Sequence, residues 1–281
     1  MVNLCLRLRR RKRWANDWSE CDCDMNELAL RKRALDGEQL VGTFVNTGSP
    51  MSAEIAGNTG LDWCLFDMEH GVGGWESLSH QVGALNGTRT APLVRMPGLD
   101  SVYFKKALDL GAHGVMIPSV NTVEEAQQAV SFSRYPPYGV RGVSGMTRCA
   151  GFGKKLDERL QSAHENTLLI AQIETKPGLE NVEAIAAVDG IDMLFVGPMD
   201  LSVSLGIARQ LEHPDFRAAC TKVVEAAKRH GKASGALVID GNKLGECFDE
   251  GFTFVGIGSD GSMIAAGMNA VLQHKVNARG Q

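Results

Sequence analysis

The sequence predicts a (β/α)8 barrel, and three observations carry that reading. Eight apolar runs of strand length alternate with helical patterns, and no region is strand-only. Most runs are apolar at successive positions, as in strands buried on both faces of a parallel sheet. Polar residues gather just past the C-terminal ends of the runs, where barrels carry their working groups.

The elements follow in order. Met25 begins a first helix, Asn26 to Leu35, closed by Gly37. Strands are expected at Leu40–Val45, Trp63–Phe66, Pro92–Val94, Val115–Ile117, Leu168–Ile173, Met193–Val196, Ser234–Val238 and Thr253–Ile257. Helical patterns separate them at Met51–Asn58, Trp75–Leu85, Val102–Leu110, Val123–Ser133, Gly178–Ala187, Pro214–His230 and Asn242–Glu250, with Ser262–His274 last. Gly60, Gly111, Gly231 and Gly251 stand where a helix must stop before a strand, as C-capping residues do. A doubly wound open sheet is the alternative, but its phosphate fingerprint is missing, and the glycines at 256–261 need be no more than a turn. The longest connection, Ser133 to Glu165, carries Tyr135-Pro136-Pro137-Tyr138 and is expected to be an ordered, rigid loop.

At 281 residues and 44% hydrophobic, the chain can bury one large core, and residues 25–281 read as a single barrel domain. Residues 1–24 differ: the basic run Arg7 to Arg13 precedes Trp14, Trp18 and an acidic cysteine patch. Without the apolar stretch of a secretory signal, this segment is expected to be a disordered basic tail. A net charge of -4 with 22% charged residues gives no reason to expect nucleic acid. No apolar run reaches the ~18 residues of a membrane span. Seven cysteines without metal-finger spacing fit a reducing, cytoplasmic setting.

The chemistry centres on two strand ends. The runs Leu168–Ile173 and Ile191–Val196 flank a helical stretch and are followed by Glu174 and, through Gly197-Pro198-Met199, by Asp200. Parallel strands deliver both carboxylates to one rim, where they repel unless a cation sits between them. A hard divalent ion such as Mg²⁺ or Mn²⁺ answers that need; a loop acid and a helix cap are the plainer readings. The second strand brings Asp67, Glu69 and His70 to the same rim, the third Arg95, the fourth Ser119 and Asn121, the fifth also Gln172. A carboxylate next to His70 could fix its tautomer and raise its basicity. Arg95 either pairs with a rim acid or binds a carboxylate or developing oxyanion. Such a set suits carbon–carbon bond making or breaking beside a carbonyl. A Schiff-base route needs a lysine directed into the barrel, and none of the eight strand runs contains one; Lys176 lies just past Glu174.

Several motifs, in order, resemble the HpcH/HpaI group of metal-dependent 2-oxo-acid aldolases, the 4-hydroxy-2-oxoheptanedioate aldolase family. They are Phe66-Asp67-Met68-Glu69-His70-Gly71, Val94-Arg95, Arg134-Tyr135-Pro136-Pro137 with Arg141-Gly142-Val143, Gln172-Ile173-Glu174 and Gly197-Pro198-Met199-Asp200-Leu201-Ser202. The resemblance covers about residues 26 to 274. It implies a barrel whose last helix swaps between neighbours, commonly in hexamers. It implies Glu174 and Asp200 as ligands of Mg²⁺, Mn²⁺ or Co²⁺, with Arg95, Gln172, Met199 and Asp200 binding a small 2-oxo acid. His70, supported by Asp67 and Asp109, would act as base through a metal-bound water, and an aldehyde would leave a pyruvate enolate. Asp109, inside Leu108-Asp109-Leu110-Gly111, stands out only through this resemblance. Gly71-Val72-Gly73-Gly74 and Gly145-Met146-Thr147-Arg148 depart from well-known members in loops that would meet the aldehyde. The citrate lyase β-subunit and malyl-CoA lyase group, and citrate-forming condensation with an acyl thioester, are the alternatives. In the lyase group the second strand typically ends in Glu-Asp, where this chain has Glu69-His70.

Overall fold

A computed structural model describes residues 25–279 of the protein; the tail expected over 1–24 lies outside the described residues. Eight strands, β1 (Leu40–Val45), β2 (Trp63–Asp67), β3 (Ala91–Arg95), β4 (Gly114–Ile117), β5 (Leu168–Ile173), β6 (Met193–Val196), β7 (Ala233–Val238) and β8 (Phe254–Ser259), close into a barrel. Every neighbouring pair is parallel, and β8 returns to β1 through pairs such as Leu40↔Phe254 and Val41↔Val255. β2 to β6 are buried along their whole length, which is why their sequences do not alternate.

Helix starts follow from local chemistry. Ser49 accepts a hydrogen bond from Ser52 N ahead of Pro50, Asp100 accepts from Val102 N, and Thr122 with Glu125 forms a reciprocal capping box. At Gly111 and Gly251 the backbone turns to φ 98°, a conformation that costs glycine nothing and halts the helix before the next strand.

Two differences from the sequence reading have physical causes. The Ser133–Glu165 connection is not loop throughout: a 3-10 turn spans Arg148–Gly153 and a helix spans Leu156–Asn166. That helix buries only Arg159, Ala163 and Asn166, so it carries no apolar stripe to announce it. The helix expected over Gly178–Ala187 is two short helices, Lys176–Glu180 and Val182–Ala186, broken at Asn181. The Asn181 amide donates to Asn121 O at 2.7 Å, fixing the break against the loop after β4.

The core has two shells. Between strands and helices lies an apolar layer including Val94, Phe104, Val115, Leu169, Leu194 and Val223. Inside the barrel, Phe44, Trp63, Phe195 and Phe254 fill the axis with Leu65, Leu93, Met116 and Ile170. Trp63 stacks on Phe254 at 4.4 Å between centroids. Such large rings fit because the neighbouring strands carry glycine: a Cβ at Gly42 would stand 2.1 Å from the Trp63 ring, and one at Gly235 2.5 Å from Phe195. At the N-terminal mouth, Leu30 and Ala34 of helix Met25–Leu35 join this inner cluster. Arg31 anchors that helix to Asp192 at 2.7 Å.

The C-terminal helix, Asp260–Arg279, behaves differently from the others. Residues 262–275 are all exposed, including the large apolar side chains of Met263, Ile264, Met268, Val271 and Leu272. Among the described residues, no helix is long and apolar enough to cross a membrane.

Candidate active site

The C-terminal rim of the barrel opens into a cavity of about 430 Å³. Its floor is Phe44 and Phe195, its apolar wall includes Leu237 and Ile239, and Asp67, His70, Arg95, Gln172, Met199 and Asp200 line the rest. Strand register explains this gathering: Asp67 pairs with Arg95 across β2 and β3, and Gln172 with Phe195 across β5 and β6.

Arg95 is the best-held group. Its Nε and one terminal nitrogen donate to the two oxygens of Asp67 at 3.0 and 2.6 Å, and its other terminal nitrogen lies 3.2 Å from Glu69. The guanidinium carbon sits 5.3 Å above the Phe44 ring. Burial pushes the Asp67 carboxyl up, but the bidentate bond and charge of Arg95, with the backbone N–H groups of His70 and Glu69, outweigh it and hold Asp67 below its usual range. Of the two roles open to Arg95, the rim pair is present, and it leaves the planar fork fixed in orientation.

Glu174 is held with equal care. Ser119 donates to one oxygen from both its backbone N–H and its hydroxyl, each at 2.8 Å. Gln172 Nε2 donates to the other oxygen. Gly197 makes room: a Cβ there would stand 2.4 Å from Glu174 Oε2 and 2.7 Å from Gln172 Nε2. Burial raises the Glu174 carboxyl above its usual range, and the charges of Glu69 and Asp200 push the same way. Glu69 is likewise raised, first by burial and then by Asp67 and Asp200. Three carboxylates thus share one electrostatic neighbourhood.

The donor set fits a hard divalent cation. The carboxylate charges that raise one another are the charges an ion would neutralise, and Gln172 Oε1 is buried without a hydrogen-bond partner. Among the described residues, no three His, Cys, Asp or Glu side chains are gathered closely enough to hold an ion unaided. Two protein carboxylates, with substrate and water completing the shell, is the arrangement Mg²⁺ commonly takes.

His70 reaches the cavity with its side chain 66% exposed. Asp67 supports it through the backbone, accepting His70 N–H at 3.1 Å, while the nearest carboxylate to the imidazole is Glu69 at 3.8 Å. Asp109 makes no contact with His70 within one chain. It ends helix Ser101–Asp109, where Arg141 donates to it at 2.6 Å, and it lines a separate cavity of about 470 Å³ with Trp75, Lys106 and Arg148.

Two residues escaped the sequence reading. Ser119 stood on the rim without a role, because its clamp on Glu174 depends on a left-handed backbone (φ 50°) that no local pattern signals for serine. Gly197 was visible only as part of Gly-Pro; its role is to be no larger than glycine.

This geometry can be set beside known proteins. Residues 40–266 match the family model described as HpcH/HpaI aldolase/citrate lyase. A hydroxypyruvate/pyruvate aldolase of Roseobacter denitrificans is 40% identical over 236 residues, covering 84% of this chain and 92% of that protein. A 5-keto-4-deoxy-D-glucarate aldolase of an Enterobacter species is 41% identical over 230 residues, covering 82% and 90%. Among solved structures, an HpcH/HpaI aldolase/citrate lyase family protein from Burkholderia cenocepacia superposes with a TM-score of 0.84 at 35% identity, covering 88% of this chain and 98% of that one. The (β/α)8 barrel, the motifs at its rim and these likenesses agree, and the chain belongs to the HpcH/HpaI aldolase/citrate lyase family, a carbon–carbon lyase of the aldolase kind.

Proposed function

We propose that the protein is a divalent-metal-dependent aldolase that reversibly cleaves a 4-hydroxy-2-oxo acid into pyruvate and an aldehyde. The observation that carries this reading is the convergence of Asp200, Gln172 and Arg95 on one rim cavity, with the buried Glu174 held against Gln172 and a locked guanidinium as the cavity's only charged donor among the described residues. The names of the two aldolase relatives, with pyruvate in one of them, support the substrate class.

Glu174 and Asp200 would hold the ion, which when bound supplies a Lewis acid for the 2-oxo group. Gln172 and the Met199–Asp200 segment orient the oxo acid. Arg95, its fork fixed by Asp67 and Glu69, donates toward the keto oxygen as negative charge grows there. His70 takes the proton of the C4 hydroxyl; the C3–C4 electron pair passes to C3 and the enolate, and the aldehyde departs. In the reverse direction His70 returns that proton to the new alkoxide. Asp109, tied to Arg141 beside another cavity, takes no part in these steps within one chain. Assembly into a homo-oligomer is supported by the exposed apolar side chains of the C-terminal helix, which its own barrel leaves uncovered. A cytoplasmic setting completes this reading; the four described cysteines, Cys64, Cys149, Cys220 and Cys247, are all free thiols.

The test needs no knowledge of the aldehyde. With Mn²⁺ in heavy water, the protein should exchange the methyl protons of pyruvate for deuterium, followed as loss of the methyl proton signal. Chelator should stop the exchange, and Arg95→Ala should slow it by about 10²–10³, the worth of one preorganised oxyanion donor. Exchange no faster than in a protein-free control would reject the proposal.

A further inference from the structure

The first residue of the C-terminal helix is its one buried member among the described side chains, and it is charged. Asp260 is 9% exposed, whereas the helix beyond it stands clear of the barrel. Its carboxylate accepts from Asn46 N at 2.8 Å, Thr47 N at 3.3 Å and Gly261 N at 2.8 Å, and from the Thr47 hydroxyl on its other oxygen. These bonds bind the start of the last helix to the loop after β1, a separation of more than two hundred residues in sequence.

That loop in turn grips the loop carrying His70. Asn46 O accepts Val72 N–H at 3.0 Å, and Ser77 Oγ donates to Gly48 O. The two loops touch through bare glycines: a Cβ at Gly48 would stand 2.9 Å from Gly73 Cα, and one at Gly71 3.2 Å from Asn46 O. No packing slack separates them. His70 itself has an exposed side chain, so its placement depends on this backbone and on Asp67.

We propose that Asp260 is a positioning residue for catalysis: it clamps residues 46–48, which hold the Gly71–Gly74 loop and thereby set the place of His70 over the rim cavity. Asp260 itself does not line the rim cavity, although Asn46, which it holds, does. The clamp makes the seating of the last helix part of the site, since the carboxylate that holds the loop is the helix's own first residue. This inference rests on the role of His70 as the base for the aldol hydroxyl.

The experiment uses the full chain with Mn²⁺ and follows two reactions, aldol cleavage and methyl exchange of pyruvate alone. Asp260→Asn keeps the shape but removes the charge and one acceptor. Cleavage should fall by about tenfold or more, as for other groups that orient a functional residue, while exchange, which does not use the aldol hydroxyl, stays within about twofold of wild type. In a His70→Ala background, Asp260→Asn should cause no further loss, because its effect passes through the missing imidazole. Thr47→Val, which removes a single donor to the clamp, should give a weaker copy of the same pattern and covers the case in which Asp260→Asn fails to fold. Wild-type cleavage in both variants, an equal fall in both reactions, or a further loss on top of His70→Ala would each overturn the proposal. His70→Ala cleaving at the wild-type rate would instead refute the base role on which it stands, and would leave the clamp without its target.

Discussion

Replacing Gly197 by alanine isolates one steric demand of the site. The backbone at Gly197 has φ -87° and ψ 97°, which alanine adopts freely, so the substitution introduces no conformational strain. What it introduces is a carbon atom 2.4 Å from Glu174 Oε2, 2.7 Å from Gln172 Nε2 and 2.8 Å from Glu174 Cβ. To regain an ordinary contact the Glu174 oxygen must withdraw by about 1 Å. It cannot do so freely, because Ser119 grips the other oxygen through two 2.8 Å bonds. Overpacking of this kind costs about 1–3 kcal/mol of stability. A carboxylate displaced by about 1 Å should cost the reaction about a hundredfold. Thermal melting, Mn²⁺ titration and aldol turnover at saturating metal read the three effects separately. Gly197→Ala is expected to melt lower, to bind Mn²⁺ more weakly and to turn over slowly. Wild-type metal affinity with wild-type turnover would show that Glu174 has slack that the geometry denies it.

Two further outcomes are expected. Glu174→Gln and Asp200→Asn should each weaken Mn²⁺ binding severely by exchanging a charged oxygen ligand for a neutral one; Asp109→Asn should titrate metal like wild type, and wild-type affinity in Glu174→Gln would remove Glu174 from the ligand set. His113, partly buried in the loop before β4, has its imidazole pulled down to about 3 by burial and then by Arg159. A His with a depressed folded value contributes stability that is present above its unfolded value near 6.5 and is lost as pH falls from there toward 3. The loss from this one group approaches about 1.4 kcal/mol per pH unit inside that window. Melting curves of His113→Gln should therefore fall less steeply than wild type between pH 6 and 4; parallel curves would mean that His113 is not held neutral.

Strand positions were legible because burial on both faces leaves uninterrupted apolar runs, and the rim was legible because polar residues end those runs abruptly. Glu174 and Asp200 could be paired from the order of two strands alone. What escaped depends on contacts between distant parts of the chain. Ser119 meets Glu174 across 55 residues, and Asp260 meets Asn46 across 214; neither partner carries a mark of the other. Helix Leu156–Asn166 escaped because its buried face is Arg159, Ala163 and Asn166, a polar surface docked on polar surroundings. Asp109 is the opposite case. The resemblance set it beside His70, whereas within one chain its side chain is held by Arg141.

The aromatic filling of the barrel constrains how this site can change. Phe44 and Phe195 are both the floor of the rim cavity and members of the inner core, and Phe44 packs against both Trp63 and Phe195. Cutting either ring back to admit a larger aldehyde would not deepen a pocket; it would open the barrel axis to water and leave Gly235, which faces Phe195, or Gly256, which faces Phe44, beside a hole that a glycine cannot fill. The walls carry no such burden: Ile239 is exposed and Leu237 only partly buried. A lineage, or an engineer, seeking a new aldehyde is therefore steered to the loops after β7 and β8, while the aromatic floor of the rim cavity tolerates almost no substitution.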